Sequence, residues 1–200
     1  MKNSYLTHLR KRRSIYCLGK NISQSKSQMA ELINQAAKLS PSAFNSQSTR
    51  VIVLFNEHHL KLWSIVKEAL DHILTPNDFD KSVSKIDACF ASGVGTVLFF
   101  EDSSVIEELR NAHPLYADNF KVWSEQAAGM AQLSVWTALA SENIGASLQH
   151  YNPIIDEAVL KEWDIPKSWE LTAQLPFGSI EDAPEEKRFI ADEVRFKVIK

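Results

Sequence analysis

Residues 118–142, DNFKVWSEQAAGMAQLSVWTALASE, carry the longest helical pattern in the chain. Trp123, Ala127, Met130, Ala131, Val135, Trp136, Ala138, Leu139 and Ala140 leave no wholly polar face beyond Ala127. A helix that is apolar nearly all round is buried nearly all round. In a chain of 200 residues it is the central helix or part of a subunit interface. Gly145 ends it, and Ala146 to Leu148 opens a short strand.

Upstream, Val51-Ile52-Val53-Leu54-Phe55 is a β-branched and aromatic run, read as a strand buried on both faces. Val94 to Phe100 reads the same way, and Glu101, Asp102 and Ser103 place acids where a helix begins. A helix over 57–74 lies between, with Leu62, Val66, Ala69, Leu70 and Ile73 inward; another covers 25–39, and a short one spans 3–12. Thr75, Pro76, Asn77 and Asp78 break the helical pattern across 75–85. Downstream, a helix is expected over 153–163. Trp169, Leu171, Ala173, Leu175 and Phe177 then alternate with polar residues or proline, a period-two strand. Arg195 to Ile199 alternates too and reads as a final edge strand.

Four or five strands and six helices that do not alternate one for one indicate an α+β layered fold. No linker or internal repeat divides the chain, so one domain over 1–200 is expected. Hydrophobic residues make up 44%, enough for a core, and 5 Trp with 10 Phe argue against disorder. Net charge is −3, which does not suggest binding to nucleic acid. Residues 1–20, however, hold Lys2, Arg10, Lys11, Arg12, Arg13 and Lys20 with no acid, leaving −9 for the rest. A basic cluster on an acidic chain suits a small anion better than a polymer. Cys17 and Cys89 form no disulfide framework or metal spacing, and no apolar run is long enough for a membrane span. A reducing cytoplasm is the expected location.

Motifs for serine hydrolases, phosphate-binding loops, dinucleotide folds and zinc proteases are missing from the sequence. None of the histidines pairs with a carboxylate at metal spacing, so no metal is expected. What remains is Arg12-Arg13-Ser14 after a short helix, and Ser40-Pro41-Ser42-Ala43-Phe44-Asn45-Ser46-Gln47 before a strand. Both motifs resemble the FMN-dependent nitroreductase family. Three further stretches resemble its short subgroup of yeast nitroreductase-like proteins linked to fatty-acid regulation. They are Gly93 to Asp102, Gly145 to Pro153, and Pro184-Glu185-Glu186-Lys187-Arg188-Phe189. Their order along nearly the whole chain makes the resemblance specific.

That resemblance implies a mostly antiparallel sheet of four or five strands surrounded by helices, in an intertwined homodimer. It also implies FMN, with NADH or NADPH as reductant and a nitroaromatic or quinone-like acceptor in ping-pong turnover. Charge-assisted donors suit the FMN phosphate independently of the resemblance: Arg12 and Ser14 near one end of the chain, Lys187 and Arg188 near the other. Arg12, Arg13 and Ser14 are implied to follow the phosphate, ribityl chain or ring edge. Pro41, Ser42, Ala43 and Asn45, with Gln47 beside them, are implied to reach the flavin from the neighbouring subunit. Phe44 and Tyr151 are the substrate candidates, though Phe44 is equally a packing residue. Gln149, His150, Tyr151 and Asn152 fall in the loop where the family turns a backbone N–H toward the flavin ring. His150 is a possible proton donor, and no side chain is required as a nucleophile. The family's cation at the pyrimidine edge has no clear counterpart, Lys81 and Lys85 lying in about the right segment. Two other readings stand beside the enzyme: a flavoprotein responding to redox state or lipid, and a nucleic-acid binder using the basic arm.

Overall fold

The computed structural model describes residues 3–200. Lys2, counted above with the basic cluster, lies outside that range. The helices are α1 (Ser4–Lys11), α2 (Lys26–Lys38), α3 (Asn56–Asp71), α4 (Pro76–Cys89), α5 (Ser103–Ala112), α6 (Phe120–Ser141), α7 (Asp156–Glu162) and α8 (Asp192–Arg195). The strands are β1 (Leu18–Gly19), β2 (Thr49–Phe55), β3 (Gly95–Asp102), β4 (Gly145–Ala146) and β5 (Trp169–Ile180). They form one sheet in the order β1-β5-β3-β2, with β4 also on β5, and all four pairings are antiparallel.

β3 is buried at all eight of its residues. Its side chains alternate by the strand period. Val97 and Phe99 point to a core with Met29, Ile33, Val135 and Leu139 from α2 and α6. Leu98 and Phe100 point to the opposite core, with Leu62, Trp63 and Val66 of α3, Ile86 of α4 and Val159 of α7. The sheet is thus sandwiched between two helical layers, the α+β arrangement expected.

Several expectations need correction. The run 51–55 is not buried on both faces: β2 is the edge strand, and of its residues only Leu54 is fully buried. Leu171 does not share a face with Ala173, Leu175 and Phe177. The β3–β5 register shifts at Phe99/Phe100, which inserts Thr172 as a bulge and turns Leu171 into the α3 core. The breaker cluster at 75–78 starts a helix instead of ending one. Thr75 caps α4 by accepting from the Asp78 N–H, and Pro76 occupies the first turn, where proline lacks no needed donor. Glu101 lies inside β3 and is buried; Asp102 alone caps α5. The final edge strand does not form, since the chain leaves the sheet after Ile180 and Phe196, Val198 and Ile199 stay exposed.

His59 shows how tightly the α3 side is closed. Its Nε2 faces the Ala91 carbonyl at 3.2 Å and so carries the proton; Nδ1 accepts from the Thr96 hydroxyl at 2.9 Å. The Thr96 oxygen in turn accepts from the Trp63 indole N–H at 3.2 Å. Burial holds the imidazole pKa down at about 4, against an ordinary value of about 6.5. A depressed histidine contributes stability that is complete above its unfolded value and lost as pH falls toward its folded value. The stability gap between wild type and His59→Gln, measured by urea unfolding, should therefore shrink by about 3 kcal/mol from pH 7 to pH 4. A gap independent of pH contradicts this network.

Candidate functional site

The end of α1 delivers the basic cluster. Asn3 caps the helix by accepting from the N–H groups of Tyr5 and Leu6, and Arg12 ends it. Cations are favoured at this negative end of the helix dipole. Beyond it, Ser14 pairs with Ala146 of β4, and the Ile15 N–H donates to the Ala146 carbonyl at 2.9 Å.

A cleft of about 620 Å³ opens here, walled by Arg12, Arg13, Ser14, Cys17, Cys89 and Lys187, among others. Arg12, Arg13 and Ser14 thus meet Lys187 from the far end of the chain, while Arg188 is not in the wall. Arg13 donates to the Glu185 carbonyl, which ties the late segment over the cleft. The Arg12 guanidinium lies 4.3 Å from the centre of the Trp136 ring. Burial lowers its pKa, and neighbouring Arg13 lowers it further, with no carboxylate acting on it. Asp182 and Glu185 also line the cleft, but neither pairs with Arg12. The Arg12 side chain and the Ser14 hydroxyl have no hydrogen-bond partner among the described residues, and Arg12 stands beside Arg13 with no carboxylate paired to it. That donor set fits a phosphate dianion.

The second expected segment lies apart. Pro41, Ser42 and Gln47 line another cleft, of about 380 Å³, that shares no residue with the first. Ala43–Asn45 form a short 3-10 turn between them. Phe44, Asn45 and Gln47 all have φ near +50°, a region that non-glycine residues occupy at a cost and that clusters at functional sites. The surroundings hold this shape. Ser42 Oγ accepts from the Gln47 N–H at 3.0 Å, and the Gln47 carbonyl accepts from Arg50 at 2.6 Å. Arg50 also pairs with Asp102 at 3.0 Å. Burial pushes Asp102 up, but bonds from Ser104 and Ser168 and the charge of Arg50 outweigh it and hold the carboxyl below its usual range. Beneath, Glu101 accepts from Ser48 at 2.6 Å and Thr49 at 2.5 Å, although burial still pushes its pKa up. Phe44 stays 52% exposed against His113, Tyr116, Phe120 and Trp123. Arg50, and Tyr116 and Phe120 of the aromatic group, carry no signal in the sequence. A lone arginine before an apolar run gives no warning that it clamps a strained loop.

The loop after β4 lines neither cleft. Gln149 and Gln174 exchange backbone bonds at 2.7 and 2.9 Å, and the Tyr151 N–H donates to the buried Gln174 side chain at 2.8 Å. The N–H of His150, between them, has no protein acceptor among the described residues, and its side chain is exposed. The Tyr151 ring packs on Trp63 and Phe90 in the α3 core, not free above a cleft, and burial raises its pKa. Lys81 and Lys85 sit on α4, exposed and outside both cleft walls. No group of three metal-ligating side chains occurs among the described residues. No described helix is long and apolar enough to cross a membrane.

Residues 9–179 match the nitroreductase family. Nitroreductase-like HBN1 of Saccharomyces cerevisiae is 35% identical over 193 residues, covering 96% of this chain and 95% of its own length. Nitroreductase CinD from Lactococcus lactis, solved with chloramphenicol, superposes with a TM-score of 0.90 at 47% identity, over 98% of this chain and all of that one. CinD has also been solved with 4-nitrophenol. A Desulfitobacterium hafniense nitroreductase with bound FMN shares the fold at a TM-score of 0.73 and 15% identity, over the full length of both chains.

Gln174 anchors the loop after β4. Gln174→Leu removes the acceptor for a partly buried N–H, so unfolding free energy should fall by about 2 kcal/mol in a denaturant titration. Unchanged stability contradicts the assigned bond.

Proposed function

This chain belongs to the nitroreductase family, and from that membership we propose that it is an FMN-dependent oxidoreductase, one FMN-binding domain over 1–200 acting as a homodimer. The observation that carries the proposal is the cleft where Arg12, Arg13, Ser14 and Lys187 converge without a carboxylate for Arg12. The chemistry FMN supplies when bound is hydride transfer from NADH or NADPH, then reduction of a nitroaromatic or quinone-like acceptor. The 4-nitrophenol and chloramphenicol held by CinD support that acceptor class.

In this reading Arg12, Arg13, Ser14 and Lys187 grip the phosphate end, with Arg188 at the rim. The His150 N–H, free between two bonded neighbours, is the loop's donor toward the ring, with Gln149 bracing it. Pro41, Ser42, Ala43, Asn45 and Gln47 complete the site of the other copy, and the separation of the two clefts within one chain supports this. Exposed Phe44 offers the acceptor a flat apolar wall. Tyr151, bound into the core, supports the loop from below.

α6 supports the homodimer. Val122, Met130 and Leu133 are 52%, 39% and 40% exposed along it. Gly129 lies on the same exposed stretch, and a Cβ built on it meets nothing within 4 Å. A mid-helix glycine costs about 1 kcal/mol relative to alanine, a cost offset when another helix approaches closely. The tail after Ile180 carries exposed Phe189, Ile190, Val194, Phe196, Val198 and Ile199, suited to clasp the other copy.

The purified protein should be yellow, and NADH or NADPH oxidation should accelerate on adding 4-nitrophenol. A colourless protein that takes up no FMN overturns the flavoprotein reading. If it binds FMN but neither nicotinamide reduces it, the protein is a flavin-binding sensor. Arg12→Ala should release FMN far more readily than His150→Ala, and equal release contradicts the phosphate assignment. Gly129→Leu has room within one chain, so light scattering should show a folded monomer that has also lost flavin. A Gly129→Leu dimer retaining flavin contradicts the interface.

A further inference from the structure

Arg12 rests on the ring of Trp136 in α6, whereas Lys187 of the same cleft lies 5.2 Å from the ring centre of exposed Phe189 in its own segment. The face of a guanidinium carries no donor; its five N–H groups lie in its plane. The guanidinium carbon of Arg12 lies 4.3 Å from the Trp136 ring centre, and the group has no hydrogen-bond partner among the described residues, so its donors are available to an incoming anion. The indole is itself held. Trp136 Nε1–H donates at 3.2 Å to the Ala146 carbonyl, the same oxygen that accepts from the Ile15 N–H at 2.9 Å. One carbonyl therefore joins α6 to the backbone that follows Arg12.

We propose that Trp136 is a positioning residue for the flavin phosphate, fixing Arg12 in its gripping geometry before the ligand arrives. This rests on the reading of Arg12 as the phosphate's arginine. A long cationic side chain loses rotamer freedom when it binds a ligand. Contact with a fixed ring removes part of that freedom in advance, so less affinity is lost on binding. Trp136 touches no reacting atom, and its effect is confined to ligands that carry the phosphate.

The test uses flavin-stripped full-length protein titrated with FMN and with riboflavin, which lacks the phosphate, followed by flavin fluorescence. Trp136→Leu should weaken FMN binding on the order of tenfold while leaving riboflavin within about twofold. Trp136→Phe, which keeps a π face, should recover most of the FMN affinity. Where the leucine variant does not fold, Trp136→Met fills similar space without a π face and carries the same criteria. Equal weakening of both flavins means that Trp136 only packs, and overturns the proposal. Unchanged FMN binding overturns it too. Arg12→Ala separates the two levels. If it fails to discriminate FMN from riboflavin, the phosphate reading falls and the role of Trp136 with it. If it discriminates and the Trp136 variants do not, only the role of Trp136 falls.

Discussion

β3 has no solvent side. Eight consecutive residues buried on both faces require helices above and below, and that requirement organises the chain. α2 and α6 close one face; α3, α4 and α7 close the other. α6 has apolar residues left over once its inner face is used, because Ala127, Ala131, Val135 and Leu139 already fill the core. Val122, Met130 and Leu133 remain exposed on α6. The same long helix carries Trp136, so the proposed dimer surface and the support of the phosphate cleft share one rigid element.

The two halves of the proposed flavin site are built by different means. The phosphate half is electrostatic: two adjacent arginines, one of them half-buried on an indole, with no acid to neutralise it. The 41–47 half is steric, a loop with three left-handed residues held by Arg50, Asp102, Ser48 and Glu101. Strain of that kind persists only where surrounding bonds over-determine it, and here the clamp comes from the buried strand. The core thus supplies the rigidity that both halves use.

Much of this was legible in the sequence because it depends on local pattern. The helical spacing of 118–142 and the apolar runs at 51–55 and 94–100 act over short range. What failed depends on partners distant in the chain. The alternation in 169–177 gives no sign of the bulge at Thr172, which is set by the register against Phe99. Residues 195–199 alternate as a strand does, but they pair with none of the described strands and stay exposed. Tyr151 reads as a loop residue, yet Trp63 and Phe90, far away in sequence, draw its ring into the core. Arg50 and Trp136 carried no motif at all, since their roles exist only once β3, α6 and the Ala146 carbonyl are assembled.

The central claim is a flavin site shared between two copies, 12–14 from one and 41–47 from the other. Its most direct test is subunit complementation. Arg12→Ala and Asn45→Leu chains, each poor in flavin alone, are co-expressed with different tags, and the mixed dimer is isolated and its flavin counted. A shared site places both defects in one of the two sites and leaves the other wholly intact, so the mixed dimer should hold about one FMN per two chains. A mixed dimer as empty as its parents would place the whole site within one chain and contradict the account.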